Sequence, residues 1–184
     1  MQNSAPASSG KRIMRKYDGK KLQWLHAARN FAILLVIVFL IFNFLIGISK
    51  VSGPSMNDTF KSGEFVFYTR VFHELERGDI VSVKIPDGTY WIKRVIAVGG
   101  DVVDLKDGVI YINGEPETGD YFKGETQPES TAVMFPYTVE PDNVFVLGDN
   151  RPESYDSRWF GARRTQDVKG LVHASFGFFF IRLF

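Results

Sequence analysis

Ser55 stands in the run SGPSM, and a serine hydroxyl becomes a useful nucleophile only when a neighbouring base takes its proton. Histidine is the usual base, and the chain has three. His26 precedes a long apolar run, His73 sits in the polar segment FHELERGD, and His173 falls in an aromatic run. None has a recognisable triad context. Lys93 is the other candidate. In TYWIKRVIAVGGD, strand alternation puts Trp91, Lys93 and Val95 on one face and Ile92, Arg94 and Ile96 on the other. If the Trp91/Val95 face is buried, the ammonium loses solvation and its pKa falls. A general base near neutral pH needs a drop from about 10.4 to about 7 or 8, which costs roughly 4 kcal/mol of charge solvation. The same pattern fits an ordinary surface Lys-Arg pair on an edge strand, and serine in a Gly/Pro turn is common.

A third segment bears on that choice. VFVLGDNRPESYDSRWFG, Val144 to Gly161, reads as a strand running into a dense loop of Asp149, Arg151, Ser154, Asp156 and Arg158. Acids and arginines so close together suit a rigid ion-paired loop in which Ser154 hydrogen-bonds a lysine. A solvated charged turn has the same composition.

The elements that would position these groups begin with a membrane segment. From Asn30 to Ser49 the chain runs twenty residues without a charge. As a helix rising about 1.5 Å per residue, that run spans roughly 30 Å of hydrocarbon. We expect a cytoplasmic tail over 1–29, a transmembrane anchor over 30–49 and an extracytoplasmic domain over 50–184. Residues 1–29 carry seven Lys or Arg against one acid, Asp18, which places the N-terminus in the cytoplasm. A cleavable signal peptide is the alternative, since Gly47-Ile48-Ser49 has suitable small residues, but its apolar region usually has about 7 to 15 residues. Residues 51–184 hold 14 basic and 20 acidic residues, a net charge of −6, which argues against a nucleic-acid partner. The absence of cysteine excludes disulfides and thiolate metal sites.

Beyond Lys50 the chain has short β-type runs: Glu64 to Val71, Asp79 to Ile85, Thr89 to Val98, Val102 to Leu105, Val109 to Ile112, Val144 to Leu147 and Leu171 to Phe180. The fold class is mainly β. Pro86-Asp87-Gly88, Asp107-Gly108 and Asn113-Gly114 have hairpin chemistry. Glu115 to Thr138 reads as a long surface excursion, and the closing LVHASFGFFFIRLF as a strand whose Phe-rich face packs in the core or rests on the bilayer interface, the core being favoured.

SGPSMNDTF, RGDIVSV, YWIKRVIAVGGD and VLGDNRPESYDSRWFG follow an N-terminal anchor in this order, and together they resemble type I signal peptidase, the bacterial leader peptidase family S26, in its single-anchor Gram-positive form. The resemblance implies a signal-peptidase/repressor-protease-like β-fold behind one transmembrane helix. It implies that Ser55 attacks the scissile carbonyl, that Lys93 is general base and later proton donor to the leaving amine, and that Ser154 orients the lysine. Met56 would pack beneath the nucleophile. Arg94, Asp149, Arg151, Asp156, Ser157 and Arg158 match structural positions, with Asp156 and Arg158 as an ion pair. Two positions depart from the family pattern: Asp58 replaces a proline, and Gly99-Gly100-Asp101 replaces P-G-D. The oxyanion hole would use the Ser55 N–H, while Pro54 has none to offer and Gly53 stands where some relatives have serine. Ser52 is then the candidate for the second donor.

The implied partners are the lipid bilayer and preproteins with small residues at −1 and −3, cut outside the cell membrane, with no cofactor or metal. A cytoplasmic self-cleaving Ser/Lys regulator would need a DNA-binding module. An inactive accessory domain that binds extracellular partners would need neither Ser55 nor Lys93.

Overall fold

The computed structural model describes residues 18–57, 59–129, 131–177 and 181–184. Asp58 and Phe178 to Phe180 lie outside these, as do residues 1–17 of the tail. Helix α1 (Asp18–Leu40) continues as a π-helical turn, Ile41–Leu45. The stretch Gly19–Leu45 is long and apolar enough to cross a membrane. Its apolar side chains, Leu34 and Phe39 among them, are exposed, which calls for a non-aqueous surrounding.

The apolar run therefore ends differently from the expected Ser49. Ile46–Lys50 form strand β1, antiparallel to β2 (Phe65–Thr69). Gly47, the start of the possible signal-peptide cut site, packs against Tyr68, where an added Cβ would lie 2.1 Å from the ring. The remaining strands are β3 (Ile80–Lys84), β4 (Tyr90–Val98), β5 (Val102–Lys106), β6 (Val109–Ile112), β7 (Glu115–Pro116), β8 (Tyr137–Thr138), β9 (Asn143–Leu147), β10 (Arg163–Arg164), β11 (Val168–Phe176) and β12 (Ile181–Leu183). A short helix α2 (Ser157–Phe160) follows β9. The mainly β expectation holds.

The larger sheet has the order β1-β2-β11-β3-β4-β9-β10, with β12 added to β11; the smaller is β7-β6-β5-β8. Every pairing within both is antiparallel. The β5–β6 hairpin turns through Asp107 and Gly108 at φ 49° and 77°, the paired positive values a type I′ turn requires. Strand β4 is the organising element. Its Ile92 enters a core with Met56, Phe60 and Val66, its Val95 a second with Val81 and Val146, and its Ile96 a third with Val103 and Phe145 between the two sheets.

Two expectations need correction. Among the described residues, the outward face of the last strands is not core. Phe176 stacks on Phe65 and Phe67, and Ile181 and Leu183 are exposed, while the opposite faces of β11 and β12 turn inward. The excursion between Glu115 and Thr138 is not purely surface either, for Thr126 and Val133 are buried. It supplies partners to the charged loop.

Candidate active site

Lys93 sits in the half of β4 that is packed on both faces, and its side chain is fully buried. That rules out the surface-pair alternative. Its Nζ donates to Ser154 Oγ at 2.9 Å, and the Trp91 ring lies 5.2 Å away, covering the amine. Burial pushes the Lys93 amine down to about 8. Asp156 opposes that shift, Arg158 adds to it, and Asp149 opposes it more weakly. Ser154 is held just after a 3₁₀ turn, Arg151–Glu153, by Arg158 Nη2, which donates to its carbonyl at 3.1 Å.

Ser55 opens the turn that caps the first core, with Met56 buried beneath it. The loop after β9 grips this turn. Asn150 N–H donates to the Ser55 carbonyl at 3.0 Å and Asn150 Nδ2 to the Pro54 carbonyl at 3.1 Å. Asp149 N–H reaches Met56 Sδ at 3.4 Å, and Thr59 Oγ1 donates to the Asp149 carboxylate.

Gly148 makes the approach possible. A Cβ there would lie 2.3 Å from Ser154 Oγ and 2.5 Å from the Ser55 carbonyl oxygen, so those two atoms flank one backbone position that tolerates no side chain. Lys93 is thus hydrogen-bonded to Ser154, whose hydroxyl and the Ser55 carbonyl oxygen both crowd the side of Gly148 where a Cβ would stand. Ser55 Oγ itself makes no hydrogen bond to Lys93 among the described residues.

The charged loop is interior. Asp149, Arg151, Asp156, Ser157 and Arg158 are all fully buried, which excludes a solvated turn. Arg94 forks onto Asp149 at 2.9 and 2.8 Å, donates to the Gly78 carbonyl and stacks 4.1 Å from the Tyr121 ring centroid. Arg151 forks onto Glu117 at 2.7 and 2.6 Å and donates to Thr126 Oγ1 and the Gly148 carbonyl. Arg158 forks onto Asp156 at 2.8 and 2.9 Å. Asp156 also caps α2 and accepts from Gly148 N–H, and Ser157 Oγ accepts from Val146 N–H. Each buried guanidinium has its own carboxylate, the condition under which such charges are tolerated.

Ser52 is exposed and borders a cleft of about 420 Å³ that also takes in Val51, Gly53 to Met56, Tyr90 to Ile92, Glu153 and Tyr155. The sequence reading did not single out Gly148, Asn150, Thr59 or Glu117. Gly148 and Asn150 lie inside the charged motif, but nothing in their residue types marks the close approach they make; Glu117, in an aperiodic stretch, gives no local signal.

The family model described as signal peptidase, peptidase S26, matches residues 24–177, which include every group just placed. The chain belongs to the signal peptidase family. Signal peptidase IB of Staphylococcus aureus strain COL is 31% identical over 172 residues, covering 84% of this chain and 88% of that one. Signal peptidase I of Bacillus licheniformis is 36% identical over 154 residues, covering 78% and 82%. A crystal structure of a signal peptidase I from Enterococcus faecalis aligns with 55% of this chain and 98% of its own at 30% identity and a TM-score of 0.47. As a member of the signal peptidase family, the chain is a peptidase that removes signal peptides.

Proposed function

We propose that Ser55 is the nucleophile and Lys93 its general base, cutting preproteins at the outer surface of the cell membrane. The observation that carries this is the fully buried Lys93 amine, lowered to about 8 and held by Ser154 beside the Ser55 turn. The neutral amine accepts the Ser55 proton as Oγ bonds to the scissile carbonyl carbon. The ammonium then returns that proton to the leaving amine as the peptide C–N bond breaks. Water, deprotonated by Lys93, hydrolyses the resulting ester and frees Ser55. The Ser55 N–H makes no hydrogen bond among the described residues and is assigned to the oxyanion; Ser52, on the lip of the same cleft, is the proposed second donor.

The substrate binds by strand addition. Strand β9 pairs with β4 only from Arg94 to Val98, so Tyr90 to Ile92 keep an open edge on the cleft, facing Val51 to Ser55. An extended segment laid there alternates its side chains, and small residues at −1 and −3 enter the same wall. Preproteins are one partner and the lipid bilayer the other; no nucleic acid is involved, and no cofactor or metal is required. The Gly19–Leu45 helix anchors the chain with its N-terminus cytoplasmic and the catalytic domain outside. Because that helix stops at Leu45, chain length holds Ser55 within about 35 Å of its end. Exposed Ile48, Phe65, Ile181 and Leu183, on the outward sheet face, support contact with the bilayer.

The test is cleavage of a preprotein with alanine at −1 and −3 by the detergent-solubilised full chain. We expect no detectable product from Ser55→Ala, and a loss of at least about 100-fold for wild-type enzyme when −1 carries a bulky residue. Full activity of Ser55→Ala would reject the nucleophile.

A further inference from the structure

Besides the charged loop, Arg182 and Phe184 also hold the segment that follows Ser55. On β12, Ile181 and Leu183 face outward, so Arg182, paired with buried Ser175, turns inward beneath the larger sheet. Its Nη1 donates to the Thr59 carbonyl at 2.5 Å and its Nη2 to Glu64 Oε1 at 3.1 Å, both within the segment that follows the nucleophile. Phe184 sets its ring edge-on to fully buried Phe60 at 5.0 Å, and its N–H donates to the His173 carbonyl. Thr59 is therefore gripped twice: its hydroxyl by Asp149, which also holds Arg94, and its carbonyl by Arg182. Phe60 N–H in turn donates to the Met56 carbonyl at 2.6 Å, next to Ser55.

We infer that Arg182 and Phe184 are positioning residues, a brace that fixes the height of the Ser55 turn against Lys93 and Ser154. The brace touches neither substrate nor the reacting atoms. It acts by denying the Met56-to-Glu64 segment the freedom to drift, and displacement of a reacting group by about 1 Å can cost on the order of 100-fold in rate. The cleft lining excludes both residues, so binding is left largely unchanged when they are altered.

The inference rests on Ser55 being the nucleophile, and one assay on the full chain in detergent separates the two. Preprotein cleavage is measured for wild type, Ser55→Ala, Arg182→Gln, Arg182→Lys and Phe184→Leu, with thermal unfolding of each. A positioning role predicts that Arg182→Gln lowers kcat about 10- to 100-fold with KM within about twofold. Arg182→Lys, which keeps one donor and the charge, recovers part of kcat, and Phe184→Leu lowers kcat less than Arg182→Gln does. Unchanged kcat in Arg182→Gln, a loss that falls on KM, absence of recovery in Arg182→Lys, or failure of both Arg182→Gln and Phe184→Leu to fold overturns the brace. If Ser55→Ala still cleaves, the nucleophile assignment falls; if it is inert while Arg182→Gln keeps its kcat, only the brace falls.

Discussion

We expect Lys93→Met to abolish preprotein cleavage and at the same time to make the protein more stable at neutral pH. The kinetic loss follows from removing the base, and losses for members of a catalytic unit reach about 10⁴-fold or more. The gain in stability follows from linkage. The Lys93 amine lies near 8 in the folded protein against 10.5 when free, because burial removes its water. Between those values the unfolded chain binds more protons than the folded one, so stability rises with pH from about 8 to about 10.5. Below about pH 8 the full penalty, about 3 kcal/mol, is present. Methionine has nearly the same volume and no charge, so it removes that penalty. It also removes the hydrogen bond to Ser154, worth about 1 kcal/mol. The net expectation is a variant about 2 kcal/mol more stable than wild type at pH 7, with the advantage vanishing toward pH 10.5. Thermal unfolding at the two pH values checks it. A variant less stable than wild type at pH 7 would contradict a desolvated ammonium at this position.

Asp156→Ala has the opposite signature. The Asp156 carboxylate holds both arms of Arg158, the Gly148 N–H and the first turn of α2, and both ion-pair partners are fully buried. Deleting it leaves a guanidinium in the interior with Glu129, a partly exposed partner at 3.3 Å, as its remaining carboxylate. Breaking a buried pair in this way costs about 3–5 kcal/mol. A loss of that size lowers the thermal midpoint by roughly 10 °C in a domain of this length. Activity of the surviving folded fraction falls too, because Arg158 also holds the carbonyls of Arg151 and Ser154 and so places the hydroxyl that Lys93 uses. Asp156→Asn keeps the shape and loses the charge, and lies between the two. Circular dichroism melts with cleavage rates at 20 °C below the midpoint separate folding from placement; an unshifted midpoint for Asp156→Ala would count against a buried, paired Arg158.

Much of this was legible in the residues. The alternation around Lys93 and the turn dipeptides Asp107-Gly108 and Asn113-Gly114 report local backbone preferences, and local preferences survive folding here. The dense charges from Asp149 to Arg158 announced a special loop, but composition could not say whether water or protein surrounds it. That depends on Glu117 and Thr126, which arrive from a stretch with no period of its own. The end of the apolar helix was misplaced because Ile46 to Ser49 are as apolar as the residues before them, while their pairing with β2 is a long-range choice. The preference for core over bilayer at the Phe-rich terminal strand failed for a related reason: hydrophobicity identifies a face that avoids water, and a bilayer satisfies it as well as a core. Gly148 carried no signal, since a glycine required by close approach looks the same in sequence as one in any turn.

The central claim is that the Lys93 amine loses its proton near pH 8 and in its neutral form takes the Ser55 proton. The direct measurement is a nuclear magnetic resonance titration of the Lys93 side chain in lysine-labelled protein, assigned by its disappearance in Lys93→Met, alongside the pH dependence of kcat/KM. The account predicts that Lys93 titrates near 8 and that kcat/KM rises about tenfold between pH 7 and 9 with the same midpoint. A Lys93 amine that stays charged past pH 10 while cleavage proceeds at full rate at pH 8 would contradict it.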